Sequence, residues 1–118
     1  MIFNLKFLEL INYLRSMILY NITIILDEEI HESWIKWLKN DYLKNMMAHD
    51  HFISHRILKV LDSPNEGHTY CIQFVAESVE KYNNYKRLNT DQLQNYAPAE
   101  FLNKFVVFST LMEFIETE

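Results

Sequence analysis

One glycine, two prolines and one cysteine stand in 118 residues, and each scarcity removes a class of protein. With a single Gly, neither a glycine-rich phosphate loop nor a G-x-S-x-G nucleophile elbow can be built, because both need several glycines at fixed spacing. The single Cys71 excludes an intrachain disulfide and a C-x-x-C motif, and it fits a reducing cytoplasm, the expected location. No cofactor is implied by any motif. Few Gly and Pro also leave no low-complexity linker, so the chain is expected to be ordered nearly end to end.

A long apolar run is lacking too. Met1 to Ser16 is apolar, yet Lys6, Glu9, Asn12 and Arg15 interrupt it well short of the ~20 residues a membrane span needs. It carries no basic n-region or small-residue cleavage site of a secretory leader, so no membrane partner is expected. Lys and Arg number 11 against 16 Asp and Glu, giving a net charge of −5. Those cations are scattered, whereas a nucleic-acid binder gathers them on one face; no nucleic-acid partner is expected.

What is present is aromatic and apolar side chains in alternating order. Met17 to Leu26 alternates as a strand, with Ile18, Tyr20, Ile22, Ile24 and Leu26 on one face and Leu19, Asn21, Thr23 and Ile25 on the other. Asp27 stands as a helix N-cap, with Glu28 and Glu29 where the helix dipole favours acids. The helix is predicted to run to about Ala48, burying Ile30, Trp34, Trp37, Leu38, Tyr42 and Met46. Ile53 to Leu61 reads as a second strand, Asp62 to Gly67 as a turn, and His68 to Ala76 as a third strand. That third strand puts Tyr70, Ile72 and Phe74 opposite Thr69, Cys71, Gln73 and Val75. Ser78 caps a second helix through Val79, Tyr82, Tyr85 and Leu88, broken near Asn89-Thr90-Asp91 and resumed to Tyr96. Phe105 to Ile115 is the last strand, apolar on both sides.

The order strand, helix, strand, strand, helix, strand specifies an α+β fold, a ferredoxin-like βαββαβ sandwich with a four-stranded antiparallel sheet and two helices on one face. A chain of this length builds one core, so residues 17–118 are expected to form one domain and residues 1–16 an N-terminal extension. Phe3, Phe7, Leu10 and Leu14 approximate a helical face there; alternatively, translation starts at Met17. Two helices leave the far side of the sheet bare, and its apolar residues need a cover. The economical cover is a second copy, giving a homodimer with sheets face to face, as in dimeric α/β barrels; the N-terminal segment is the rival.

Five stretches carry a family resemblance: Ile18-Leu19-Tyr20-Asn21-Ile22-Thr23-Ile24, His31-Glu32-Ser33-Trp34-Ile35-Lys36-Trp37-Leu38-Lys39, Met46-Met47-Ala48, Gly67-His68-Thr69-Tyr70-Cys71-Ile72-Gln73-Phe74, and Lys104-Phe105-Val106-Val107-Phe108. From Met17 to about Glu116 the chain resembles a bacterial family defined only as a domain of unknown function, DUF4286. The resemblance implies a ferredoxin-like fold similar to dimeric α/β barrels and brings no activity. The chain departs from the family pattern at Lys44, Asp50 and Ser109, where a Pro, a Gly and an Arg are expected. With Ser109 in place, an anion-binding role for that Arg is not carried over.

Two constellations are candidates for chemistry. His49, His51 and His55 form H-x-H-x3-H across the loop into the second strand, where odd residues share a side; they are metal ligands for Zn or a similar ion, or else solvated loop histidines. Asn21, Thr23 and Gln73 are polar groups on the sheet face away from the helices; they orient a small-molecule ligand in a dimer cleft, or satisfy one another across strands. Cofactor-independent monooxygenases and haem-degrading enzymes of the dimeric α/β barrel class pair an Asn with Trp, which invites comparison of Asn21 with Trp34 or Trp37. Helical spacing favours a packing role for both tryptophans. The sequence thus points to a cytoplasmic homodimeric binding or interaction module, with a monooxygenase-like small-molecule enzyme as the alternative.

Overall fold

The computed structural model describes residues 6–9, 16–88 and 93–117. The anticipated Phe3, Leu10 and Leu14 and the helix break at Asn89-Thr90-Asp91 lie outside them. Strand β1 is Ile18–Leu26, β2 is Ser54–Lys59, β3 is His68–Ala76 and β4 is Phe105–Glu113. They form one antiparallel sheet in the order β2-β3-β1-β4. Helix α1 spans residues 28–47, α2 is Val79–Leu88 and α3 is Leu93–Tyr96. This is the ferredoxin-like arrangement, with the first and third strands at the centre.

Register decides what each face presents. Tyr20 lies opposite Phe74, and Ile22 opposite Ile72, so the even-numbered residues of β1 and β3 share one face. That face meets Trp34, Leu38, Tyr42, Tyr82 and Tyr85 from the helices in a single core. Tyr20 packs within 6.4 Å, centroid to centroid, of Phe52, Phe74, Tyr82 and Tyr85, an aromatic cluster of the kind that adds to simple area burial. Burial pushes the phenols of Tyr42 and Tyr85 well above their ordinary range, which keeps them neutral in the core. The helical layer sits over β1 and β3. On the outer strand β4, Ser109 and Leu111 therefore stay exposed even on the helical side, contrary to the two-sided cover its apolar sequence suggests.

Helix α1 is one helix with three geometries. It opens as a 3-10 turn at Glu28–Ile30, continues as α-helix over His31–Trp37, widens to a π turn at Leu38–Tyr42 and closes as α-helix over Leu43–Met47. The buried residues explain the widening. Ile30, Trp34, Leu38, Tyr42 and Met46 recur every four residues, and at 100° per residue each such step overshoots a full turn by about 40°. A uniform α-helix would rotate Met46 away from the sheet, and the wider i→i+5 turn takes up the drift. The start also differs from expectation: Asp27 is extended and makes no side-chain capping bond, and its backbone carbonyl instead accepts from Ile30 at 3.2 Å. Ser78 does cap α2, its Oγ accepting from the Lys81 amide at 3.2 Å.

Gly67, at φ +83°, closes the β2–β3 hairpin against the end of β1; a Cβ there would meet the Leu26 carbonyl oxygen at 2.1 Å. No other residue type fits such a backbone approach. No helix among the described residues is long and apolar enough to cross a membrane.

Two substitutions test this packing. Trp34 is fully buried and its indole N–H has no partner among the described residues. Trp34→Ala should cost about 3–5 kcal/mol in urea unfolding, and Trp34→Phe distinctly less, because it also removes the orphaned donor. Gly67→Ala should cost about 2 kcal/mol or more through strain and clash; an unchanged unfolding midpoint would contradict the close approach.

Candidate functional site

The face of the sheet away from the helices is built from the other half of each strand: Arg56 and Leu58 of β2, Thr69, Cys71, Gln73 and Val75 of β3, Leu19, Asn21, Thr23 and Ile25 of β1, and Val106, Phe108, Thr110 and Met112 of β4. No element among the described residues is layered over it. Residues 6–9 are helical, with Phe7 and Leu8 exposed. The outer apolar residues of the face are open to solvent, Val106 at 61% and Phe108 at 53%, with Leu58 and Met112 also exposed.

The middle is polar and connected. Arg56 Nε donates to Gln73 Oε1 at 2.6 Å, Gln73 Nε2 donates to Asn21 Oδ1 at 3.1 Å, and Asn21 Nδ2 donates to Thr23 Oγ1 at 3.1 Å. The Thr23 hydroxyl then lies 3.6 Å from Cys71 Sγ. The pairing of Asn21 opposite Gln73 and of Thr23 opposite Cys71 puts these side chains on adjacent strands at hydrogen-bonding range. Asn21 is only 8% exposed, so its amide needs those partners. These hydrogen bonds fix the orientation of both amides, and Arg56, an exposed residue, spends its Nε donor on Gln73. The sequence singled out Asn21, Thr23 and Gln73; Arg56 and Cys71 join them only through strand pairing. At one end of the face, Leu19, Met112 and residues 113–116 line a groove of about 400 Å³.

The structure does not gather His49, His51 and His55. His49 and His51 have ring centroids 5.7 Å apart. His51 is buried edge-on against Phe52 and Tyr85, a packing role that neither sequence reading anticipated. His55 stands on β2 on the helical side, in a separate groove with Lys39, Leu43, Lys44, Met47 and Ile57. Among the described residues, the group of ligand-type side chains whose donor atoms converge is instead Glu28, His31 and His68. Glu28 and His31 are one turn apart, but His68 is distant in sequence, and the register that sets His68 beside Leu26 brings it to them. Trp34 and Trp37 pack on the helical side, so the sheet itself separates them from Asn21, and the Asn–Trp pairing of the monooxygenase comparison is not formed within the chain.

A fold of this kind recurs in known proteins. A family profile described as "Domain of unknown function (DUF4286)" matches residues 17–115. The chain belongs to the DUF4286 family. A dimeric ferredoxin-like protein from an uncultured marine organism superposes with a TM-score of 0.67 at 9% identity, covering 87% of this chain and 99% of that one. A candidate antibiotic biosynthesis monooxygenase from Bacillus cereus gives 0.59 at 12% identity over 87% of this chain and 97% of that chain. Hydroxynitrile lyase from Passiflora edulis gives 0.60 at 14%, covering 88% and 98%. These likenesses establish the fold of this DUF4286 member and demonstrate no catalysis for it. No curated protein matches its sequence.

The polar row predicts a coupled energetic response. Gln73→Leu strands the Asn21 carbonyl and should cost about 1–2 kcal/mol in chemical denaturation. The double variant Asn21→Leu with Gln73→Leu should cost less than the sum of the two single changes, because it removes both partners; additivity would show that the bond carries no energy.

Proposed function

We propose that this protein is a homodimeric binding module in which two copies pair through their open sheet faces and hold a small molecule over Asn21, Thr23 and Gln73. The observation that carries this reading is one surface: exposed Leu58, Val106, Phe108 and Met112 surround a hydrogen-bonded polar row. An apolar face of this extent on a lone domain is a site of association. A second copy suits it because sheets stacked face to face lie about 10 Å apart, with large side chains interdigitating at the rim. Above short Asn, Thr and Cys side chains the same spacing leaves room, and a cleft with apolar walls and a polar floor results. The dimeric ferredoxin-like neighbour lends support to the pairing.

The floor favours a ligand with an acceptor group. Asn21 and Gln73 have each turned one amide face toward the other, and the guanidinium of Arg56, held by Gln73, offers its remaining donors to a carbonyl or carboxylate. Binding, as opposed to turnover, follows from the chemistry of the row. It holds amides, a hydroxyl, a thiol and a guanidinium, with no carboxylate or imidazole to act as a general base. The half-buried free thiol of Cys71 fits a reducing, cytoplasmic setting.

Light scattering on the purified chain should give the mass of a dimer. Phe108→Asp, a change at an exposed position, should leave the circular dichroism spectrum unaltered and weaken pairing by about 3 kcal/mol, on the order of a hundredfold in Kd. Native mass spectrometry of the dimer should detect a small-molecule adduct that Gln73→Leu loses without loss of pairing. A monomeric wild-type chain at micromolar concentration defeats the proposal, and an adduct indifferent to Gln73 defeats its ligand half.

A further inference from the structure

The end of the sheet where α1 begins gathers a second set of groups, on the helical side and away from the open face. Gly67 lets the hairpin run in beneath the Leu26 carbonyl, and Leu26 pairs with His68. Asp27 is extended and the chain turns at once into α1, so Glu28 and His31, one turn apart, stand over the first residue of β3. The rings of His31 and His68 stack with centroids 3.6 Å apart and planes 9° from parallel. Nε2 of His68 meets a carboxylate oxygen of Glu28, and Nε2 of His31 lies 2.6 Å from the Tyr70 hydroxyl. One donor atom each from Glu28, His31 and His68 lies within 4.8 Å of the others.

We propose that Glu28, His31 and His68 bind one borderline divalent cation, with Zn²⁺ as the fitting ion. Two imidazole nitrogens and one carboxylate oxygen are a donor set for Zn²⁺ and its transition-metal neighbours; Mg²⁺ and Ca²⁺ prefer shells made wholly of oxygen. Zinc bonds of about 2.0–2.1 Å in tetrahedral geometry place ligand atoms roughly 3.3 Å apart. Binding requires the two stacked rings to turn out of parallel so that both in-plane lone pairs meet at one ion, and the Glu28 side chain, 80% exposed, is free to swing in behind them. Tyr70 fixes the His31 ring from outside the ligand set, the arrangement that orients metal-bound histidines generally. Three protein ligands leave at least one position open to water or a ligand. Lys59, whose ammonium is 5.9 Å from the Tyr70 ring centroid, is a nearby cation that opposes binding.

The test uses the full chain without an affinity tag, stripped with a chelator and dialysed, titrated with ZnCl₂ in a calorimeter. Saturation at one ion per chain is expected, unaffected by millimolar Mg²⁺. His31→Ala and His68→Ala should each weaken binding tenfold or more, and Glu28→Gln severalfold, with the far-ultraviolet dichroism unchanged. Lys59→Ala should strengthen it, a response that a merely structural histidine pair would not give. Co²⁺ in place of Zn²⁺ should yield visible absorption bands that His68→Ala abolishes. Absence of saturable binding overturns the proposal, as does binding that survives His31→Ala and His68→Ala but is lost on joint replacement of His49 and His51. Neither result bears on the open-face dimer, which lies across the sheet.

Discussion

A four-stranded sheet has two faces, and here one layer of helices covers one of them. That asymmetry organises the rest of the molecule. The covered face draws Ile18, Tyr20, Ile22, Ile24 and Leu26 of β1 and Ile72 and Phe74 of β3 into contact with Trp34, Leu38 and Tyr42. The other face, over which no element among the described residues is layered, keeps its apolar rim in water and compensates its buried polar centre with hydrogen bonds that run from β2 across β3 to β1. An unpaired amide at the position of Asn21 would be costly, so the row is a structural requirement of the face.

The helical layer meets its own geometrical constraint. The sheet demands a straight line of large side chains from Ile30 to Met46, and regular α-helical winding cannot supply one at a four-residue repeat. The π turn at Leu38–Tyr42 is the local adjustment that keeps the line on the sheet. Around it, Trp37 contacts Trp34, Tyr42 and Phe101, so the Trp-x-x-Trp pair welds α1 to the turn before β4. The tryptophans are thereby committed to packing, while polar groups among the described residues converge at the centre of the open face and at the corner where α1 meets β3.

Much of the architecture was readable from alternation. The residues assigned to each face of β1 and β3 are those the sheet places there, because a period of two admits only one division. The finer details were less legible. The π turn leaves no signature beyond the four-residue spacing of buried side chains, and the exposed helical side of β4 follows from its edge position, which no local pattern encodes. The H-x-H-x3-H spacing looked like a ligand set, yet the loop turns His51 inward onto Phe52 and Tyr85 while His55 belongs to a different groove.

By itself the sequence determined the element order, the buried stripe of each element and the polar identity of Asn21, Thr23 and Gln73 amid apolar neighbours, since those are consequences of side-chain chemistry acting over a few residues. The tertiary structure alone decided which distant groups meet: Arg56 with Gln73, Thr23 with Cys71, and Glu28 and His31 with His68. Such meetings depend on strand register and on the close backbone approach at Gly67, and both are settled only when the whole sheet closes on its helices.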